Sequence, residues 1–341
     1  EFKQGDKQVR EMIENLERRL SDELPTFVEL AQIRGLSNRN GTPLNARDLV
    51  RILLSLRYNG FESGVYLYLA MLNHDSYPNC VKFSATKSYS EVRTTRSVRA
   101  GEPLTISYLP TIMCHASRRH HLWEQHLFDI SGAVPKNFEA VENVGGSIPA
   151  STLELKDDTV ITFRIENATA ELSSHFRDAA AMVALDNRQE SPVWEEAKAL
   201  EVASLELYEE AKEQLQNDRH ILLIPCLRLH LDVCDLIQIG KVLNANQHVM
   251  LLLRVVTSSL KLIELQAILY SKDHFDLAQT YNELSQAVSE LLLISPKQII
   301  GLGLEGMKSP TACSSAAYKA KREFERIREL YPHNAEQHIR K

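Results

Sequence analysis

The sequence predicts an α+β protein: a β-rich core followed by an all-α, tetratricopeptide-like helical domain. Two observations carry this. Short β-prone segments cluster between residues 73 and 166, and from Ser191 onward the apolar residues recur almost wholly at helical spacing. The organisation read from this is a helical approach over 1–72, a strand-bearing region with a following segment over 73–190, and a helical domain over 191–341.

In the first region Val9, Met12, Ile13, Leu16 and Leu20 recur at helical spacing, as do Leu49, Ile52, Leu53 and Leu56. Asn45 or Asp48 suits the cap of the second helix, and Gly35 to Gly41 reads as a loop. Val81–Thr86, Glu91–Val98 and Leu104–Tyr108 are the candidate strands, with a turn at Ala100-Gly101-Glu102. Arg118–Phe128 reads as a helix. Leu153–Leu155 and Val160–Ile165, flanking Lys156-Asp157-Asp158, read as a hairpin. Helices are expected at about 192–216, 220–240, 246–270, 274–294 and 314–330. Ser191 is the expected cap of the first, with Pro192 in its first turn, and Asp273 that of the fourth, which Ser295-Pro296 ends. Pro225 falls early enough in the second to be tolerated.

Composition narrows the function. Thirty-nine Lys and Arg stand against 45 Asp and Glu, a formal charge of −6, which argues against a general nucleic-acid binder. The Arg118-Arg119-His120-His121 run is too short to overturn that. No apolar stretch approaches the ~18 residues of a membrane span, and the charged opening lacks the apolar core of a signal peptide. Five cysteines, few and odd in number, argue against a disulfide framework. The expectation is a soluble protein of a reducing compartment, cytoplasmic and/or nuclear. Cys226 and Cys234 read as buried packing residues, and His115, His120 and His121 beside Cys114 match no established metal spacing.

The informative stretch is Leu72-Asn73-His74-Asp75-Ser76-Tyr77-Pro78-Asn79-Cys80, followed 21 residues later by Gly101-Glu102-Pro103-Leu104-Thr105-Ile106-Ser107-Tyr108. Alone, the first is a polar turn and Tyr108 a strand-end tyrosine packed on a core. In this order and spacing the pair resembles the C-terminal half of the SET domain, the fold of protein lysine methyltransferases that use S-adenosylmethionine. Arg57-Tyr58-Asn59-Gly60-Phe61 and Gly64-Val65-Tyr66 resemble segments preceding that motif in the SET-and-MYND branch. Arg118-Arg119 through Glu124-Gln125-His126-Leu127-Phe128-Asp129 resembles that branch's Arg-rich helix. The motifs span about residues 45–130.

The resemblance implies roles residue by residue. Tyr108 is the tyrosine at the methyl-transfer point. Asn73 and His74 contact the cofactor S-adenosylmethionine, as do Asn59 and Phe128. Phe61 lines the lysine channel, and His126 occupies the place of a channel tyrosine. The implied partner is a protein substrate with an exposed lysine, selected by the helical domain. A lysine amine, with an ordinary pKa of about 10.4, must enter neutral, which a narrow apolar channel favours.

Departures from the pattern matter too. Ser76 replaces a zinc-binding cysteine, and Ile130-Ser131-Gly132 replaces a Cys-x-Cys pair, so no post-SET zinc is expected. Packing of Leu127 and Phe128 is the expected substitute. Neither a MYND finger nor the N-terminal Gly-x-Gly cofactor loop is found before Phe61, so either the natural protein extends upstream of Glu1, the favoured expectation, or residues 1–60 form an unrecognised substitute. Residues 1–341 alone are then expected to bind S-adenosylmethionine poorly and to aggregate. Two readings of function stay open: an active lysine methyltransferase, or a catalytically silent SET-like protein whose helical domain is an interaction scaffold. A purely helical adaptor does not account for the strand-rich middle.

Overall fold

The computed structural model describes residues 58–61, 64–76, 78–83, 90–109, 115–126, 159–185, 191–240 and 242–331, with a few single positions elsewhere. Among the described residues there are six short strands: β1 (Gly60–Phe61), β2 (Gly64–Val65), β3 (Asn73–His74), β4 (Cys80–Phe83), β5 (Glu91–Thr94) and β6 (Thr105–Ile106). After them the described residues form eight α-helices: α1 (His115–His126), α2 (Thr159–Leu185), α3 (Val193–Leu215), α4 (Leu223–Gly240), α5 (Ala245–Leu269), α6 (Asp276–Ile294), α7 (Pro296–Gly301) and α8 (Pro310–Leu330). The architecture is α+β, as the pattern predicts.

The strands pair in twos. β1 and β2 are antiparallel with Gly60 opposite Val65, and β4 and β5 antiparallel with Cys80 opposite Thr94 and Phe83 opposite Glu91. β3 and β6 run parallel, Asn73 opposite Thr105 and His74 opposite Ile106. Parallel strands need a long crossover, and here β4 and β5 lie within it. Of the expected strands, Glu91–Val98 and Leu104–Tyr108 are present but shorter than read, Val81–Phe83 lies in β4, and residues 84–86 and Leu153–Leu155 lie outside the described residues. In the N-terminal loop, Ser37 bridges to Pro43 across Gly41, whose φ of 74° favours glycine. The candidate caps Asn45 and Asp48 lie outside the described residues.

One element differs in kind. Val160–Ile165 is not half of a hairpin; it opens α2, a 27-residue helix. Its β-branched run imitates a strand, but Thr162, Ile165, Thr169, Ala179 and Val183 are buried at intervals of three, four and ten residues. That is one face of a helix, and the face packs on α3 and α4. The helical layer therefore begins at α2. From there each long helix packs against its predecessor, α2 on α3, α3 on α4, α4 on α5, α5 on α6, and α6 on α8.

Two caps also differ. Ser191 offers only its carbonyl, to the Trp194 N–H, and α3 starts without a side-chain cap, with Glu195 and Glu196 facing its positive end. Asp273 pairs with Arg326 of α8 instead of capping α6. The capping box belongs to α5, where Asn244 Oδ1 accepts from Gln247 N at 2.9 Å and Gln247 Oε1 accepts from Asn244 N at 3.1 Å. Arg228 joins α4 to α6 through paired bonds to Glu283.

The small sheets lean on this layer. Val81 of β4 packs against Leu277, Phe324, Ile327 and Tyr331. Arg93 Nη1 donates at 2.8 Å to the Leu330 carbonyl, one of the otherwise unsatisfied groups at the end of α8. The Ser271 hydroxyl donates to the Thr95 carbonyl, and that of Ser117 in α1 to Glu166 in α2.

His220, buried just before α4, accepts the Leu222 N–H on Nδ1 at 3.2 Å, and burial lowers its pKa to about 4. Between that value and the ordinary 6.5 the unfolded chain binds a proton that the folded chain does not. This contribution is complete above pH 6.5 and is lost as pH falls toward 4. His220→Asn should flatten the acid loss of stability by up to about 1 kcal/mol per pH unit in that window. Urea unfolding of both proteins across the window measures it; equal slopes would show that His220 does not titrate with unfolding.

Candidate functional site

The site is organised by Asn79, which is 3% exposed at the entrance to β4. Its Oδ1 accepts the Thr105 N–H at 2.9 Å, and its Nδ2 donates to the Pro103 carbonyl at 2.9 Å and to Glu102 at 3.1 Å. Its own N–H donates to Thr105 Oγ1 at 3.3 Å, and its carbonyl accepts the Thr95 N–H at 2.9 Å. One side chain thus fixes the start of β6 beside β4. Glu102 is held in turn by the Arg96 guanidinium and by the Arg99 N–H at 3.1 Å. Those bonds, with Asn79, bring its carboxyl down to about 2.

With β6 placed, its parallel pairing to β3 carries Tyr108 to the Asn-His segment. The Tyr108 N–H donates to His74 Nδ1 at 3.0 Å, and the Tyr108 hydroxyl donates to the Leu72 carbonyl at 2.7 Å. Since Nδ1 accepts, neutral His74 carries its proton on Nε2. Burial foremost, then the charges of Arg118 and His126, lowers the His74 pKa to about 4, so the ring is neutral near pH 7. Burial likewise raises the Tyr108 pKa, keeping the phenol protonated. His126, at the end of α1, also lies against Tyr108: ring centroids are 4.8 Å apart, against 5.5 Å from Tyr108 to His74. Arg118, almost fully buried in the same helix, anchors it by donating to the Met113 carbonyl at 2.7 Å.

Of the residues singled out in the sequence, Asn73, His74, Tyr108 and His126 are thus drawn together by β3, β6 and α1. Asn73 is exposed at the strand it shares with His74. Asn59 is half-buried in the helical turn entering β1, and Phe61 pairs with Gly64 in β1. Phe128 and Leu127 lie outside the described residues. The sequence reading gave no role to Asn79 or Glu102, although both stood within the quoted motifs. Their signal was the Pro-Asn and Gly-Glu dipeptides, which mark turns but not the bond that joins them.

Residues 9–109 match the family model of the SET domain. That match begins upstream of residue 45, where the recognised motifs start. The histone-lysine N-methyltransferase SMYD3 of Mus musculus is 39% identical over 71 residues, covering 20% of this chain and 16% of that protein. The Homo sapiens SMYD3 is 38% identical over 71 residues with the same coverage. The matched stretch is thus about a sixth of either relative's length. The chain carries SET-domain sequence similar to that of a SET-and-MYND-type methyltransferase, followed by a mostly helical region.

Asn79→Ala should leave the Thr105 amide and Pro103 carbonyl without buried partners. Loss of such bonds costs about 1–3 kcal/mol. Hydrogen exchange at the Thr105 amide should accelerate roughly tenfold or more, and unchanged exchange would show that β6 is held by other means.

Proposed function

We propose that this protein transfers methyl groups from S-adenosylmethionine to lysine side chains of a protein substrate. The observation that carries the reading is the approach of Tyr108 to the Asn73-His74 segment through the β3–β6 pairing. The similarity to histone-lysine methyltransferases over the SET region supports it.

The residues present suit this cofactor. A sulfonium is a cation, and His74, which accepts the Tyr108 N–H, is kept neutral. Asn73 offers an exposed amide beside it. Asn73 and His74 would hold the cofactor, with Asn59 and Phe128 as further contacts, while Phe61 and His126 would border the lysine channel. S-adenosylmethionine, when bound, supplies an electrophilic methyl group on sulfur.

The rest falls to the chain. The lysine must lose its proton before reacting, because only the free amine has a lone pair to form the new carbon–nitrogen bond as the carbon–sulfur bond breaks. Tyr108 is protonated, so it is no strong base. Its hydrogen is committed to the Leu72 carbonyl, leaving the phenolic oxygen to accept an amine N–H and hold the nitrogen in line. The helical domain over 191–341 would wall the cleft and select the substrate.

Tyr108→Phe should leave the fold and S-adenosylmethionine affinity nearly unchanged and reduce methyl transfer about a hundredfold or more. The measurement is transfer of labelled methyl to an accepted lysine-bearing protein, alongside calorimetric titration of the cofactor. Equal transfer by both proteins would remove Tyr108 from the chemistry. Failure of the full gene product to bind the cofactor would instead favour the scaffold reading.

A further inference from the structure

We propose that Glu201, His230 and Cys234 form a site for a zinc-class divalent cation inside the helical layer, remote in sequence from the Tyr108 cluster. Glu201 comes from α3, and His230 and Cys234 from one face of α4, four residues apart. All three are buried, at 5%, 0% and 0% exposure. One ligand atom from each lies within 4.8 Å of the others.

The separations are close to those a metal would impose. Cys234 Sγ is 3.7 Å from His230 Nε2, which is 4.0 Å from Glu201 Oε1. Tetrahedral zinc, with bonds of about 2.0 Å to nitrogen and 2.3 Å to sulfur, needs an N···S edge of about 3.6 Å. The carboxylate would draw in by about half an ångström to meet the corresponding edge of about 3.4 Å.

The histidine is already oriented as a ligand. The Ser204 hydroxyl donates to the Glu201 carbonyl at 2.9 Å, so toward His230 Nδ1, 3.1 Å away, the same oxygen acts as acceptor. The imidazole proton therefore sits on Nδ1, and the Nε2 lone pair faces Cys234 and Glu201. Holding one ring nitrogen so that the other can ligate is what metal-bound histidines require.

Arg254 is the group a cation would replace. Its Nη1 lies 2.7 Å from both Glu201 oxygens, while its side chain is 40% exposed, so it stands between the cluster and solvent. On binding, Cys234 releases its thiol proton to solvent and Arg254 turns outward. Thiolate and carboxylate then balance the two positive charges, His230 remains neutral, and a water fills the fourth position. Borderline-soft zinc suits this sulfur, nitrogen and oxygen set better than magnesium or calcium does. Without a metal, the same Nε2 lone pair accepts a weak bond from the Cys234 thiol.

The test uses the 341-residue chain, stripped with chelator and titrated with Co²⁺ and then Zn²⁺. One equivalent of Co²⁺ should give tetrahedral visible bands and a near-ultraviolet thiolate charge-transfer band, both erased by Zn²⁺. Cys234→Ser should abolish the thiolate band and Cys226→Ser should keep it. Arg254→Gln should tighten binding by roughly tenfold, the scale on which groups around a metal site act. Absence of saturable binding, a thiolate band that survives Cys234→Ser, or weaker binding by Arg254→Gln would overturn the site. The wild-type and Arg254→Gln titrations decide the matter even if the Cys234 variant does not fold. None of these readouts depends on methyl transfer.

Discussion

The buried Asn79 amide is the constraint on which the small-strand region depends. β3 and β6 are two residues long each, and a ladder so short is marginal by itself. Asn79 makes up the deficit by satisfying the Thr105 amide and the Pro103 carbonyl where β6 begins. An amide side chain suits the task because it presents a donor and an acceptor together. Only with β6 fixed does Tyr108 reach His74 and the Leu72 carbonyl.

The same residue lies on the path from the strands to the helices. Its backbone carbonyl accepts from Thr95, whose own carbonyl accepts from Ser271 between α5 and α6. Leu69, Cys80 and Ile106 form only a small apolar cluster within the strand region. Additional apolar cover comes from α6, α8 and Tyr331 through Val81. The strand region thus leans on the helical layer both by packing and by hydrogen bonds.

Electrostatically the Tyr108 cluster is quiet. His74 is kept neutral, Tyr108 keeps its proton, and the strongly held charge, Glu102, is locked into a turn by Arg96. Desolvation governs both rings, so burial rather than a counter-charge sets their protonation. The helical layer handles charge differently, closing Arg228 on Glu283 and Arg254 on Glu201 across neighbouring helices.

The sequence by itself determined the fold class, five of the long helices and the segments that meet at Tyr108. Amphipathic spacing is local information, and ordered motifs survive without coordinates. It misread Val160–Ile165, because a β-branched run looks like a strand until the buried face is followed through Val183. Asp273 read as a cap, but Arg326 lies 53 residues away and no local pattern announces it. Cys234 is buried in the core as read, but the spacing within α4 says nothing of its nearness to Glu201 on α3. Tertiary structure alone decided these pairings, because each joins side chains whose proximity is set by how helices and strands pack, not by their separation along the chain.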